Sequence, residues 1–307
     1  MTRVSSFSQS QALLQGLLEN QQRIFEAQRQ VTTGKISDEF KGIASETSTL
    51  VSAKALKART DGYVRAANEV NLQVNSYDLQ IGAIVDAARN FKQGILESIG
   101  QEQAIGFDGQ VSDVFNLVKN ALNFNANGVY IFSGSRTDTA AVTLDDVTDL
   151  AALGDATEAF NNDQVKSQAR LSDSFEVSHG QLADDIAGDI FSSLKRIVEF
   201  NAGPDGPIDG PLTASQRAFL ETELGALETA IQQVQNAQVL NGLNANKIED
   251  IQTIQQQQSD YLEIFIADVE DVDIAEAITR LNNDRTALEA SYRVVGSISQ
   301  LSLVGFI

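Results

Sequence analysis

Few side chains in this 307-residue chain are suited to catalysis. It has no cysteine and one histidine, His179, so it lacks a thiolate nucleophile, and a Ser-His-Asp triad would have to use that single imidazole. No nucleophile motif accompanies His179, and we interpret it as a turn residue. Asp145 and Asp146 could suggest a glycosidase pair, but adjacent carboxylates are expected by composition among 42 acidic residues. We therefore expect a non-enzymatic protein without a resident metal or cofactor.

The acidic run at residues 268–273 does not have the spacing of a calcium loop, which needs a central glycine and a bidentate glutamate. Asp273 and Glu276 fit another role. They have the spacing of an N-cap and its capping-box partner, so we expect the last helix to begin there.

The charge balance restricts the partners. Against 22 Lys and Arg stand 42 Asp and Glu, a net charge of −20, which argues against binding nucleic acid or an anionic membrane surface. No stretch approaches the roughly 18 apolar residues of a membrane span. The polar, serine-rich start lacks the features of a secretory signal, so we expect any export to occur without a cleaved leader.

Two long helical rods are predicted for the middle of the chain. All three prolines lie within residues 203–211, which read as a surface loop, and Thr213 with Gln216 forms a capping-box pattern that opens a helix after it. Small or apolar residues recur at heptad spacing in the second rod at Leu220, Leu224, Leu227, Ile231 and Val234. The first rod has the same spacing at Ala67, Val70, Val74, Tyr77, Ile81, Ile84, Ala88, Phe91, Ile95 and Ser98.

Residues 134–180 differ from the rods. They are rich in acidic side chains and contain short alternating runs, at residues 164–171 and 174–177, that are typical of β-strands. We expect a small outer domain with strands there. The predicted fold is thus mainly α, with long antiparallel coiled-coil rods, paired N- and C-terminal helices and a small β-containing middle domain.

Both ends of the chain carry an apolar heptad stripe. Gln21 and Gln28 complete the N-terminal stripe, and Gly34 is placed to end that helix. Burial of so few side chains against one partner helix does not offset the entropy of ordering the segment. Our hypothesis is that the ends are largely disordered in the free monomer and become ordered when several subunits pack together. The predicted subunit-interface residues are Leu14, Leu17, Ile24, Val31, Ile278, Leu281, Leu288, Tyr292, Val295, Leu301 and Leu303.

Three segments carry a family resemblance. Residues 31–35 read Val-Thr-Thr-Gly-Lys, residues 128–139 read Gly-Val-Tyr-Ile-Phe-Ser-Gly-Ser-Arg-Thr-Asp-Thr, and residues 286–292 read Thr-Ala-Leu-Glu-Ala-Ser-Tyr before Leu-Ser-Leu at 301–303. These resemble the flagellin superfamily and, within it, the hook-filament junction proteins of the hook-associated protein 3 type. Residues 37–40 and 140–142 depart from the usual pattern of that family.

The resemblance implies a structural subunit of the bacterial flagellum that is exported unfolded through the type III channel and joins hook to filament. It implies flagellin, other hook-associated proteins, an export chaperone and further copies of the chain as partners, and an extracellular location. The implied domains are a terminal coiled-coil domain (1–38 and 273–307), a helical rod domain (39–133 and 181–272) and the outer domain (134–180).

Two other functions remain open from the sequence. The chain could be a minor flagellin of the filament, or a secreted adhesin or binding protein whose acidic middle recognises a ligand on a helical stalk. Deleting the last heptads should abolish assembly for either flagellar subunit, whereas it should leave ligand binding intact for an adhesin.

Overall fold

The fold is mainly α-helical in a computed structural model of the protein, which describes the backbone of residues 2–37 and 47–304 and the side chains of residues 11–37 and 47–297. This confirms the predicted fold class. Long helices dominate because proline is confined to one loop and heptad spacing continues on either side of it. The helices are α1 (Thr2–Thr33), α2 (Thr47–Gln101), α3 (Phe107–Leu122), α4 (Ala183–Ala202), α5 (Ala214–Glu270) and α6 (Ile274–Val304).

The strands are short and pair in antiparallel hairpins or bridges. β1 (Gln103–Ala104) pairs with β6 (Gly210–Pro211), and β2 (Asn125–Ala126) pairs with β3 (Val129–Tyr130). β4 (Gln168–Arg170) pairs with β5 (Glu176–Ser178), where the alternating sequence predicts strands, although both are shorter than the predicted runs.

The chain divides into two compact units. The first comprises residues 1–59 and 258–307, and the second comprises residues 60–257. The domain borders expected at 38/39 and 272/273 both fall inside the first unit. The first unit therefore includes, besides the terminal helices, the beginning of α2 and the end of α5.

The second unit is built on the antiparallel helices α2 and α5. Gln238 Nε2 donates to Asp78 Oδ1 at 3.3 Å, and Gln252 Nε2 donates to Asn68 Oδ1 at 2.7 Å. Residue numbers therefore increase along α5 where they decrease along α2, which makes the two helices antiparallel. All ten residues of the predicted α2 stripe are buried, which confirms the heptad interpretation. Thr213 and Gln216 form the expected capping box at the start of α5, with reciprocal bonds of 3.0 and 3.2 Å.

Residues 134–180 share the hydrophobic core of the second unit. Leu150 is fully buried in the apolar cluster that also contains residues of α3 and α4. The ring centroids of Phe160 and of Phe191 in α4 are 4.9 Å apart. The β4–β5 hairpin packs through Leu171 and Val177 against α2 and α5. The segment expected to form a small outer domain thus contributes apolar side chains to this core, and its bounds as a domain stay a prediction.

α5 runs without interruption through residues 255–258, where four consecutive glutamines interrupt the apolar spacing of the sequence. Gln255 is buried, whereas the three glutamines that follow it are exposed.

Candidate functional site: the terminal helix pair

α1 packs against α6 in an antiparallel pair. Gln21 Nε2 donates to the Tyr292 hydroxyl at 2.7 Å, and Arg23 Nε lies 3.5 Å from Asp284 Oδ1. These contacts set the register between two helices whose apolar stripes are narrow. The predicted pairing of the two ends is therefore present within one chain.

The predicted interface residues fall into two groups on these helices. Leu17 and Leu281 are buried, and four others are half-buried on the same faces: Ile24, Val31, Leu288 and Val295. Leu14, Ile278 and Tyr292 are exposed. Leu301 and Leu303 lie within α6, but their side chains are outside the described residues. The sequence stripe thus combines a seam used within the chain with residues that face solvent.

A second apolar stripe on α1 includes Leu14, which the sequence analysis predicted as an interface residue, and Leu18 and Phe25, which it missed. Leu14, Leu18 and Phe25 are 59%, 65% and 64% exposed. Leu18 and Phe25 are one heptad apart and lie beside the row of Leu17 and Ile24, so they occupy a neighbouring face of the helix. We call Leu14, Leu18 and Phe25 the α1 outer stripe. A search for two offset heptads in one helix would have found it.

The turn after α1 is held by backbone bonds to the turn between α5 and α6. Gly34 has a φ of +71°, which a residue with a Cβ adopts at a cost, and its N–H donates to Gln30 O at 2.8 Å. The Ile36 N–H donates to Glu270 O at 2.7 Å, and the Val272 N–H donates to Gly34 O at 2.9 Å. Gly34 ends α1, as the sequence predicts.

Lysine side chains reinforce this turn. Lys35 Nζ lies 2.6 Å from Asp271 Oδ1 and 3.4 Å from Glu270 Oε2, and Lys54 of α2 also contacts Glu270. The hydrogen bond to Asp271 raises the pKa of Lys35 above its usual value. Sequence reasoning missed Glu270 and Asp271, because more than 230 residues separate them from Lys35.

Asp273 caps α6, as expected. Its Oδ1 accepts from the Ala275 N–H at 2.8 Å and from the Glu276 N–H at 3.2 Å. Glu276 instead lies near Arg280, at 3.8 Å, on the exposed face of the helix. The acidic run at residues 268–273 therefore serves a helix start and an ion-paired turn.

The segment 128–139, which carries part of the resemblance, is anchored in the second unit by residues 131–134, which are buried, whereas residues 135–139 are exposed. Tyr77 of α2 donates to Ile131 O at 2.7 Å, and its ring meets Phe132 edge-on at a centroid distance of 5.1 Å. Burial raises the pKa of Tyr77 to about 12. Gly134 has a φ of +67° and leaves room for the Asp163 carboxylate, which accepts from the Ser135 N–H at 2.9 Å.

His179 is a buried side chain with a hydrogen-bond partner on α2. It is buried after β5, with Nε2 2.8 Å from Gln73 Oε1, and burial lowers its pKa. Asp184, its acidic neighbour in sequence, accepts instead from Asn162 and Gln164. Among the side chains of residues 11–37 and 47–297, no group of three or more His, Asp or Glu could hold a metal ion. None of the described helices is long and apolar enough to cross a bilayer.

A known family model matches the C-terminal part of the chain. Residues 224–307 match the family model for the bacterial flagellin C-terminal helical region, which spans part of α5 and all of α6. A comparison with curated proteins gives no match.

Solved structures share the fold. A protein of Vibrio parahaemolyticus described as a flagellar hook-associated protein superposes with a TM-score of 0.59 at 13% identity, covering 76% of this chain and 98% of that one. FlgL of Bacillus cereus superposes with a TM-score of 0.50 at 14% identity, covering 66% and 98%. The chain accordingly has the flagellin-like fold of these hook-associated proteins, and residues 224–307 match the model of the flagellin C-terminal helical region.

Proposed function

We propose that this protein is a structural subunit of the bacterial flagellum that joins hook to filament. It polymerises through its N- and C-terminal helices after export in an unfolded state, and it works outside the cell without catalysing a reaction. Its partners in this proposal are flagellin, other hook-associated proteins, an export chaperone and further copies of itself. The observation that carries the proposal is the apolar surface left exposed on the terminal helix pair.

The pairing of α1 with α6 leaves much apolar surface in contact with water. Among the described side chains of α1, residues 11–33, only Leu17 and Ala27 are buried apolar residues. The α1 outer stripe stays exposed, and on α6 so do Ile274 and Ile278. Each fully buried side chain of this size would contribute about 1.5–3 kcal/mol, so covering both helices by neighbouring subunits is strongly favourable.

We infer a refined set of interface residues from the exposure of their side chains. We assign the α1 outer stripe, Ile278 and the exposed ring of Tyr292 to contacts between subunits, and Leu17, Leu281 and the Tyr292 hydroxyl to the pairing within a chain. Leu301 and Leu303 stay predicted subunit contacts. An acidic chain can assemble through this region because its ends carry little of the net charge: residues 1–35 have four basic and two acidic side chains.

One specific observation favours a second function, a minor flagellin of the filament. The matched family model describes flagellins, and its region, residues 224–307, includes α6, which we assign to assembly. A minor flagellin would use the same terminal helices, but it would repeat along the filament instead of occupying one joint.

Imaging distinguishes these functions. The chain has no cysteine, so Val165→Cys, at an exposed loop position, introduces a single site for a maleimide-linked gold label on cells that produce the variant. We expect gold at the joint between hook and filament in electron micrographs. Gold along the filament would indicate a flagellin, and gold absent from flagella would overturn the proposal. Cells with the unsubstituted chain give the background.

A further inference from the structure

Two exposed apolar patches lie at the same level of the second unit, on different helices. The α2 patch consists of Leu72 and Leu79, which are 70% and 71% exposed. The α5 patch consists of Val239, Leu240 and Leu243, which are 63%, 60% and 50% exposed. Neither patch contributes to the core of this unit, so both expose apolar surface at a cost unless another surface covers them.

The two patches face away from each other. Asn241 Nδ2 donates to the Val74 carbonyl oxygen at 2.9 Å, so these two residues mark where α2 and α5 meet. Leu72 precedes Val74 by two positions, and Leu243 follows Asn241 by two. Two positions correspond to about 200° around a helix, so each leucine points away from the helix–helix contact. The same hydrogen bond places both patches at one height along the pair.

Charge is absent along the α5 patch and sparse along the α2 patch, where Glu69 and Asp78 flank Leu72 and Leu79. The stretch from residue 229 to 246 of α5 has no charged side chain, nor has the stretch from 70 to 77 of α2, in a chain of which 21% of residues are charged. Loss of charged residues together with exposed large apolar side chains is the compositional signature of an interface core. Two copies with a net charge of −20 each repel one another, and uncharged surfaces are where they can approach most closely.

We propose that the α2 patch of one copy packs against the α5 patch of the next copy. The contact is heterologous, since two different surfaces meet, and repetition of such a contact generates a closed ring or a helical tube. Five side chains cover much less than the interface of about 1,200–2,000 Å² that stable complexes bury, so the contact forms in an assembly that other surfaces also hold. The inference rests on the proposed function for that second source of affinity.

Engineered cysteines test this contact in the full-length chain. In the variant Leu72→Cys/Leu243→Cys, the two thiols of one copy point in opposite directions and cannot form a bridge within the chain. Oxidation with copper phenanthroline at assembly concentration is expected to produce a ladder of dimers, trimers and larger species on a non-reducing gel. Leu117→Cys/Leu243→Cys is the matched control, because Leu117 is an exposed leucine, at 57%, that lies outside both patches.

The outcomes of the cross-linking experiment distinguish the heterologous contact from its alternatives. A ladder from the first pair and only background from the control supports the heterologous contact. Dimers from Leu72→Cys alone or Leu243→Cys alone would show a patch pairing with itself, and equal products from both pairs would show random collision; either overturns the inference. Sedimentation of the unsubstituted chain is measured in parallel, so that failure of the chain to assemble, which counts against the proposed function, is distinguished from failure of this contact.

Discussion

Lys35 Nζ lies 2.6 Å from Asp271 Oδ1, and the backbone of the same turn is bonded to the residues on both sides of Asp271. Residues from opposite ends of the sequence therefore meet beside Gly34. The ion pair is about half exposed, whereas the backbone bonds depend on a left-handed glycine. The conformation of Gly34 should therefore contribute more to stability than the charge of Lys35.

Gly34→Ala tests that ranking against Lys35→Met. The alanine is strained at a φ of +71°, at a cost of about 1–2 kcal/mol, whereas an exposed ion pair contributes about 0.2–1 kcal/mol. Hydrogen exchange at the amides of Ile36 and Val272 should accelerate more in Gly34→Ala. A larger acceleration in Lys35→Met would show that charge dominates the turn.

Arg196 and Glu223 should respond asymmetrically to substitution. Glu223 is 2% exposed and accepts from Arg196 Nε at 2.7 Å and from Nη2 at 2.9 Å, whereas Arg196 is half exposed. Arg196→Met leaves a buried carboxylate without its partner and should cost about 3–5 kcal/mol. Glu223→Gln keeps a hydrogen bond and lets water reach the arginine, so it should cost about 1–2 kcal/mol. Urea unfolding of the full chain measures both, and equal losses would contradict the burial argument.

Tyr77 should make the second unit less stable at alkaline pH. Its pKa rises from an ordinary value near 10 to about 12 on folding, so the unfolded chain loses the phenolic proton first. The contribution of Tyr77 to the free energy of unfolding is fully present below about pH 10. It declines by about 1–3 kcal/mol in total as the pH rises toward 12.

Tyr77→Phe provides the control for that titration. The variant loses the hydrogen bond to Ile131 O at every pH, so it starts less stable. The difference in unfolding free energy between the unsubstituted chain and the variant should shrink between pH 10 and 12. A constant difference would show that the phenol titrates normally in the folded state.

Leu18→Asp and Leu281→Asp separate contacts between subunits from contacts within the chain. Leu18 is exposed on the α1 outer stripe, whereas Leu281 is buried at the pairing with α1. Leu18→Asp should leave the helix content of the monomer unchanged and prevent assembly, because it places an unpaired charge in the subunit contact. Leu281→Asp should loosen the α1–α6 pair itself. Circular dichroism and sedimentation velocity measure the two effects.

Leu117→Asp is the control for these variants, since it adds a charge at an exposed leucine of α3. It should assemble like the unsubstituted chain. Assembly by Leu18→Asp would show that the outer stripe is not a subunit contact.

Sequence patterns predicted the long helices better than the contacts between distant residues. The α2 stripe from Ala67 to Ser98 was predictable because a heptad repeats locally, and the capping box at Thr213 depends on residues three apart. The partnership of Lys35 with Asp271 and the anchoring of Phe160 on Phe191 were not predictable, because each depends on the folded path of the chain.

On the candidate site, the sequence indicated which helices are amphipathic but not which face each residue occupies. Leu14 and Leu17 are three positions apart, and the heptad puts them in one stripe, yet only Leu17 is buried. In the sequence, an apolar stripe that serves both the pairing within the chain and a contact between subunits cannot be told from a stripe that serves only one of them. Side-chain exposure in the folded chain was needed to separate the two.

Hydrogen exchange of the full chain across a concentration series tests the central claim most directly. The terminal helices are proposed to need neighbouring subunits for stable order, so amides of α1 and α6 should exchange rapidly in dilute monomer and become protected as sedimentation shows assembly. Amides of α2 between residues 67 and 98 should be protected throughout. Protection of α1 and α6 in dilute monomer equal to that of α2, unchanged on assembly, would contradict the account.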